Sequence, residues 1–211
     1  MIHSIRRIQT DARFVHLTFD DGPDGNSTPA VLDILKRTKV RATFFLVADR
    51  ARENPDLVKR ILADGHAIGN HSVDHQTWHY FRGARHLKKW IQSAAQEFRQ
   101  MGIDQTVGFR PPVGIVTPPL RQALLDLGEP LILWNERFYD AVFPWKKGSA
   151  ENSARELVPG SIVLLHDRQP PDRLDDFLSV LEVYIAAIRA RGFEFAPLKR
   201  GDLLAQMESS G

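Results

Sequence analysis

Two adjacent carboxylates, Asp20 and Asp21, stand in the run Thr18-Phe19-Asp20-Asp21-Gly22-Pro23, at the end of a short apolar stretch. Asp, Gly and Pro are turn residues, so a turn is the simplest reading of this run. Side-by-side carboxylates repel each other, however, and a metal ion would compensate, one Asp binding it while the other is left as a base. A second cluster, Asn70-His71-Ser72-Val73-Asp74-His75, offers two imidazoles four residues apart, a spacing that can serve one cation. His75 and His79 have the same spacing, so the spacing alone leaves the pair open. In Phe109-Arg110-Pro111-Pro112-Val113-Gly114 two prolines fix the direction of an arginine suited to holding a carboxylate bidentately. In Leu164-Leu165-His166-Asp167 a histidine leaves an apolar run, a good place for a general acid or base. Each cluster alone also has an ordinary structural reading: a turn, a capping or surface histidine, a rigid loop with a surface arginine. Together they supply carboxylates, imidazoles and a guanidinium, the equipment of metal-assisted hydrolysis.

The elements that must position these residues alternate regularly. Strands are expected at Phe14 to Phe19, Ala42 to Val47, Ala67 to Gly69, Thr106 to Phe109, Leu131 to Trp134, Ile162 to Leu165 and Phe193 to Phe195. Helices are expected after Thr28-Pro29, Asn54-Pro55 and Thr117-Pro118, each with a capping residue before a proline at the first helical position. Two longer helices are expected over 84–100 and 174–189 from their apolar spacing. Short apolar or alternating strands, wholly apolar at Leu131 to Trp134 and Ile162 to Leu165, alternate with amphipathic helices and imply a parallel sheet covered by helices. The expected architecture is α/β: a distorted (β/α) barrel with about seven parallel strands. All four clusters follow strands, which places them at the C-terminal face where such barrels build their sites.

Composition narrows the classes. The chain has 211 residues, 43% of them hydrophobic and 26% charged, with no Pro/Gly/Ser-rich linker, so one domain over 1–211 is expected. The net charge is only +2 and no run of five like charges occurs, which argues against nucleic acid as a partner. Cysteine is absent, which excludes disulfides, thiolate nucleophiles and sulfur metal sites. No apolar run is long enough to span a bilayer. Met1 to Thr10 carries Arg6-Arg7 without an apolar stretch after them and does not read as a secretory leader.

The ordered set of clusters resembles the polysaccharide deacetylase family, the NodB-homology domain of carbohydrate esterase family 4. Thr18 to Pro23 matches that family's first motif without change, and His71-Ser72-Val73-Asp74-His75 matches the second, which favours His71 and His75 over His79. Arg110 to Gly114 matches the third except at Val113, where an aromatic is usual, and Leu164-Leu165-His166 matches the fifth. The fourth departs: Trp134 is followed six residues later by Asp140, but Ala141 stands where a Trp is usual. Phe143-Pro144-Trp145 is expected to refill that space, so Trp134, Phe143 and Trp145 are the expected groove aromatics.

The resemblance implies a fold, a reaction and a set of roles. Asp21, His71 and His75 hold a divalent ion, with Zn expected and Co, Ni or Mn as alternatives. Asp20 is the base, held and kept ionised by Arg110. The backbone N–H of Val113 helps to stabilise the oxyanion. His166 protonates the departing amine and Asp140 orients its ring. The substrate implied is an N-acetylglucosamine polymer, peptidoglycan ahead of chitin oligosaccharides, deacetylated outside the cytoplasm by a monomer. The alternatives are an O-acetyl xylan esterase on the same site, a metal-independent C–N hydrolase of the same fold, and a sugar-binding member without activity.

Overall fold

The computed structural model describes residues 3–209. Met1 and Ile2, which belong to the segment read for a leader, and Ser210 and Gly211 lie outside the described residues. Strand β1 (Phe14–Asp20) is the centre of the sheet and is buried from Val15 onward. It pairs in parallel with β2 (Thr43–Leu46) on one side and β5 (Ser161–His166) on the other. Strand β3 (Ala67–Asn70) extends the sheet beyond β2, the short β4 (Glu136–Arg137) extends it beyond β5, and β6 (Glu194–Phe195) pairs with the start of β1. Helices α1 (Thr28–Arg37), α2 (Ala48–Glu53), α3 (Pro55–Ala63), α4 (Ala84–Gln100), α5 (Pro118–Leu127), α6 (Lys147–Glu156), α7 (Leu174–Ala190) and α8 (Arg200–Ser209) complete the chain.

Thr106 to Phe109 and Leu131 to Trp134, expected as strands, contribute single parallel bridges instead: Asn70 to Phe109, Phe109 to Leu131, and Ile5 to Ile132. The reason is local. Pro111, Pro112 and Pro130 have no N–H to donate to a ladder. These bridges carry the curl of the sheet from β3 past Phe109 and Leu131 to the N-terminal segment, where Arg7 bridges back to Ser161. The result is the α/β distorted barrel, with six strands among the described residues and bridges in place of the remaining ones.

The helix starts were legible, but the caps differ. Thr117 caps α5 by accepting the N–H of Leu120 at 3.3 Å, and Gly128 closes the helix in the left-handed conformation. At α1 the residue before the helix is Ser27, not Thr28. The Thr28 hydroxyl is used elsewhere: it donates to Asp167 Oδ2 at 2.5 Å and accepts the N–H of Asp24 at 2.8 Å. Helices α2, α6 and α8 lie outside the segments where caps and apolar spacing predict helices.

One packing contact links the fold to the site. Phe45 on β2 lies between Gly69 on β3 and the guanidinium of Arg110, whose Cζ is 3.9 Å from the ring centroid. A Cβ on Gly69 would come within 2.2 Å of that ring. We expect Gly69→Ala to destabilise by about 1–3 kcal/mol, the usual cost of overpacking, and to disturb Arg110 through the displaced ring. Thermal unfolding beside metal-uptake and activity assays checks this; an unchanged Tm would mean that Phe45 has room to move.

Candidate active site

The register of the sheet brings the polar ends of the strands together. Asp20 on β1 is the direct partner of His166 on β5. Beyond β2, Asn70 ends β3 and leads into His71, and Phe109, bridged to Asn70, leads into Arg110. A cavity of about 330 Å³ opens at this end, lined by Asp20, Asp21, His71, His75 and His166, with Trp134 in its wall.

Asp20 and Asp21 are successive residues but diverge, because Asp21 leaves the strand with φ 74°. Asp20 is buried and continues the face that carries Thr18, two residues earlier. Its Oδ1 accepts from Arg110 Nη1 at 2.7 Å. Arg110 is fully buried and its Nη1 also donates to Thr18 Oγ1 at 2.7 Å, while Nη2 donates to the Leu133 carbonyl at 3.1 Å. The expected bidentate grip is therefore a single-point one: the other arm of the guanidinium is taken by a main-chain carbonyl.

Asp21 Oδ1 lies 3.0 Å from His75 Nε2 and 3.5 Å from His71 Nε2. Burial would raise this carboxyl, but positive charge beside it, on protonated imidazoles or on a cation held between them, would keep it well below the usual carboxylate range. Oδ1 is buried yet accepts no hydrogen bond. His71 Nδ1 is 2.8 Å from the Arg110 carbonyl, which can only accept, so the proton is on Nδ1 and the Nε2 lone pair is free. The ligand atoms of Asp21, His71 and His75 fall within 4.8 Å of one another. An orphaned carboxylate oxygen facing two imidazole nitrogens fits a divalent cation in donor number and type.

His79 does not join them. Its Nε2 meets Asp74 Oδ2 at 3.0 Å, its Nδ1 meets His86 Nε2 at 2.7 Å, and Trp78 and Trp90 stack against it with centroids 3.8 and 4.6 Å away.

His166 is oriented by Asp140. Asp140 Oδ1 accepts from His166 Nδ1 at 3.0 Å and Oδ2 accepts the His166 main-chain N–H at 2.8 Å. Gln169 Nε2 gives Asp140 a third bond, the second on Oδ2, at 3.0 Å. Burial by itself lowers the imidazole's pKa, but the Asp140 bond and charge, with Asp20 and Asp21 nearby, push it up to about 9. The next residue, Asp167, turns away beneath the first loop. A Cβ on Gly22 would meet its Oδ2 at 2.1 Å, so only glycine fits there. Burial pushes the Asp167 carboxyl up to about 7, against the Thr28 hydrogen bond.

The expected groove aromatics separate. Trp134 lines the cavity. Trp145 does not refill the space beside Ala141; its ring is buried against Phe138, Phe177 and Tyr184, although its indole N–H finds no acceptor there. Phe143 is 64% exposed and does not line the cavity, whereas Ala141 and Val142 do. Val113 lines it with φ 52°, a conformation β-branched residues rarely adopt. Sequence reasoning missed four things here: Thr18, Leu164, Arg137 and Tyr139. Thr18 and Leu164 stand two residues before Asp20 and His166, so strand alternation could have found them. Arg137 and Tyr139 gave no signal.

The comparisons with known proteins agree with this geometry. A family model described as polysaccharide deacetylase matches residues 7–132. A chitooligosaccharide deacetylase of Sinorhizobium fredii is 32% identical over 201 residues, covering 91% of this chain and 93% of its own. A peptidoglycan-N-acetylglucosamine deacetylase of Listeria monocytogenes is 32% identical and covers 93% of this chain but only 40% of its own. The solved structure of a family 4 carbohydrate esterase from Streptomyces lividans, in complex with acetate, superposes with a TM-score of 0.79 at 25% identity, covering 91% of this chain and 96% of that one. With a family model spanning more than half of its length and a 32% identical relative aligned over 93% of its own length, the chain belongs to the polysaccharide deacetylases of carbohydrate esterase family 4.

Proposed function

We propose that the protein is a metal-dependent hydrolase that removes N-acetyl groups from an N-acetylglucosamine polysaccharide and releases acetate, with peptidoglycan favoured and chitin oligosaccharides next. The observation that carries this reading is the register pairing of Asp20 with His166 beside the orphaned Asp21 Oδ1. Asp21, His71 and His75 would hold the ion, and two imidazoles with one carboxylate favour zinc over Co, Ni or Mn. When bound, the ion supplies positive charge that polarises the acetamide carbonyl and acidifies a water. Asp20, its Oδ1 held by Arg110, takes the water's proton through Oδ2. The main-chain N–H of Val113 donates to the developing oxyanion. His166 gives its Nε2 proton to the departing nitrogen as the C–N bond breaks, and Asp140 keeps the ring oriented and charged. Acetate and a free amino sugar result.

An amine leaves poorly unless protonated, and Asp140 keeps the His166 ring charged through neutral pH, so the site holds the donor that an N-acetyl substrate needs. Retention of both Asp20 and His166 weighs against a sugar-binding role without catalysis, and the intact Asp21, His71 and His75 set against a metal-independent C–N hydrolase. Relatives named for chitooligosaccharides and for peptidoglycan support the substrate class. The whole chain is read as one catalytic domain, monomeric and acting outside the cytoplasm, where such polymers lie. Among the described residues no helix is long and apolar enough to cross a membrane.

The test is acetate release from peptidoglycan, chitin oligomers and acetylated xylan after chelation, with and without added zinc. Chelation should abolish release and Zn or Co should restore it. His71→Ala and His75→Ala should lose the bound metal, measured by elemental analysis, while His79→Ala keeps it. Emptying of the site by His79→Ala would overturn the ligand assignment.

A further inference from the structure

A second cavity of about 420 Å³ adjoins the catalytic one. The two share Val113, Gly114, Trp134 and Arg137 in their walls. The second is completed by Leu133, Asn135 and Arg6, so its only charged lining groups are two guanidiniums, Arg6 and Arg137. Neither forms an ion pair among the described residues. Arg6 reaches only the Trp134 carbonyl, at 3.5 Å. Arg137 lies over the Tyr139 ring, 4.1 Å from its centroid, and donates to the Tyr139 hydroxyl.

The other flank of the catalytic cavity is different. A third cavity shares Asp21 and Ala141 with it and is lined by Asp24 and Arg168. There each cation has an anion: Arg168 is 3.7 Å from Asp24, and the nearby Arg50 is 4.0 Å from Asp21. The cleft is therefore electrically lopsided, with uncompensated positive charge only on the Arg6 and Arg137 side. The net charge of +2 over the whole chain makes this a local arrangement and not a general basicity.

We propose that this second cavity is a carboxylate subsite, which receives a sugar neighbouring the one being deacetylated when that neighbour carries a carboxylate. It rests on the polysaccharide-deacetylase reading above and refines the substrate class to acidic N-acetylated glycans. A chain that places an acetamide in the catalytic cavity must cross one flank or the other, and Trp134 is the wall that both cavities use. Planar guanidiniums match a carboxylate with paired N–H donors. Charge-assisted bonds of this kind, in a recess at the protein surface, contribute to binding and weaken with salt. Two glycan chemistries bring such a group: a lactyl ether on the neighbouring amino sugar, or a uronic acid.

The experiment measures kcat and KM for acetate release from three glycans: a neutral chitin tetramer, a peptide-free peptidoglycan strand with free lactyl carboxylates, and an oligosaccharide alternating N-acetylglucosamine with glucuronate. The parent and the Arg6→Ala/Arg137→Ala double variant are compared at low and high salt, after matching Tm values and metal contents. The ratio of kcat/KM on an acidic glycan to that on the chitin tetramer should fall about tenfold in the variant, the scale of one charge-assisted hydrogen bond, and the change should lie in KM. High salt should shrink the parent's ratio in the same direction. Whichever acidic glycan responds identifies the source of the carboxylate. An unchanged ratio, or an equal loss on neutral and acidic glycans, would overturn the subsite. If the parent releases acetate from none of the three, the deacetylase reading fails separately. Titration of N-acetylmuramic acid and glucuronic acid into both proteins then decides the subsite: binding to the parent that is lost in the variant upholds it, and no binding overturns it.

Discussion

Asp20→Asn is expected to slow acetate release at least ~100-fold, the scale of a lost general base, while the protein still takes up its metal ion. Asn keeps the shape of Asp and an oxygen for Arg110, but it has no basic site for the water's proton. The divergence of the two carboxylates makes the test sharp. Asp20 has one oxygen on Arg110 Nη1 at 2.7 Å and the other 3.8 Å from His71 Nε2. Asp21 instead presents its orphaned oxygen to both imidazoles. Asp21→Asn should therefore weaken metal binding itself. The Asp20 variant should also be less stable, because Arg110 is fully buried and would keep Thr18 and the Leu133 carbonyl but lose its anion. Leaving a buried charge unpaired costs about 3–5 kcal/mol, so rates must be compared well below the variant's Tm. Equal metal loss in the two variants would refute the division of labour between neighbouring carboxylates.

The second large effect belongs to His166. His166→Ala should cost ~100-fold or more on an N-acetyl glycan but less than ~10-fold on an aryl acetate, whose leaving group needs no proton. Equal losses on amide and ester would mean that another group is the acid. The pH profile tests the same assignment. His166 is pushed up to about 9, so the charged donor persists through neutral pH and is lost as pH rises through that value. A cation beside Asp21 opposes the contributions of Asp20 and Asp21, which puts the alkaline limb of the loaded enzyme at or below 9. Asp140→Asn removes the largest raising influence and should move that limb to lower pH. The same shift bears on stability: His166's contribution is complete below the ordinary value of 6.5 and fades as pH rises through about 9. If the limb does not move in Asp140→Asn, the observed ionisation is not that of His166.

The position of β5 was legible because a strand covered on both faces is an uninterrupted apolar run, here Ile162 to Leu165, and that of β1 because Val15, Leu17 and Phe19 alternate with His16 and Thr18; the polar residues that end both mark the mouth of the barrel. Asp20 and His166 could therefore be placed at that mouth before their register was known. Thr106 to Phe109 and Leu131 to Trp134 give isolated bridges in place of the expected strands for the opposite reason: apolar residues are present, but the flanking prolines withhold the donors a ladder requires. Helix α6 left no periodic signal because its buried face is small and partly polar, Ala150, Ser153 and Ala154.

Residue types and their order along the chain determined which groups could be ligand, base and acid, since those are properties of side chains and of the strand ends that carry them. Three-dimensional packing decided how each group is aimed. Trp145 went to the core because Phe177 and Tyr184 on the distant α7, with the nearby Phe138, offer its ring more contact than the groove does. Arg110 grips Asp20 with one arm because Leu133, 23 residues away, claims the other. Arg6 reaches the cleft only because Ile5 bridges to Ile132. Spacing along a sequence carries no information about contacts closed by long loops, and those contacts aim Arg110, Asp20 and Trp145.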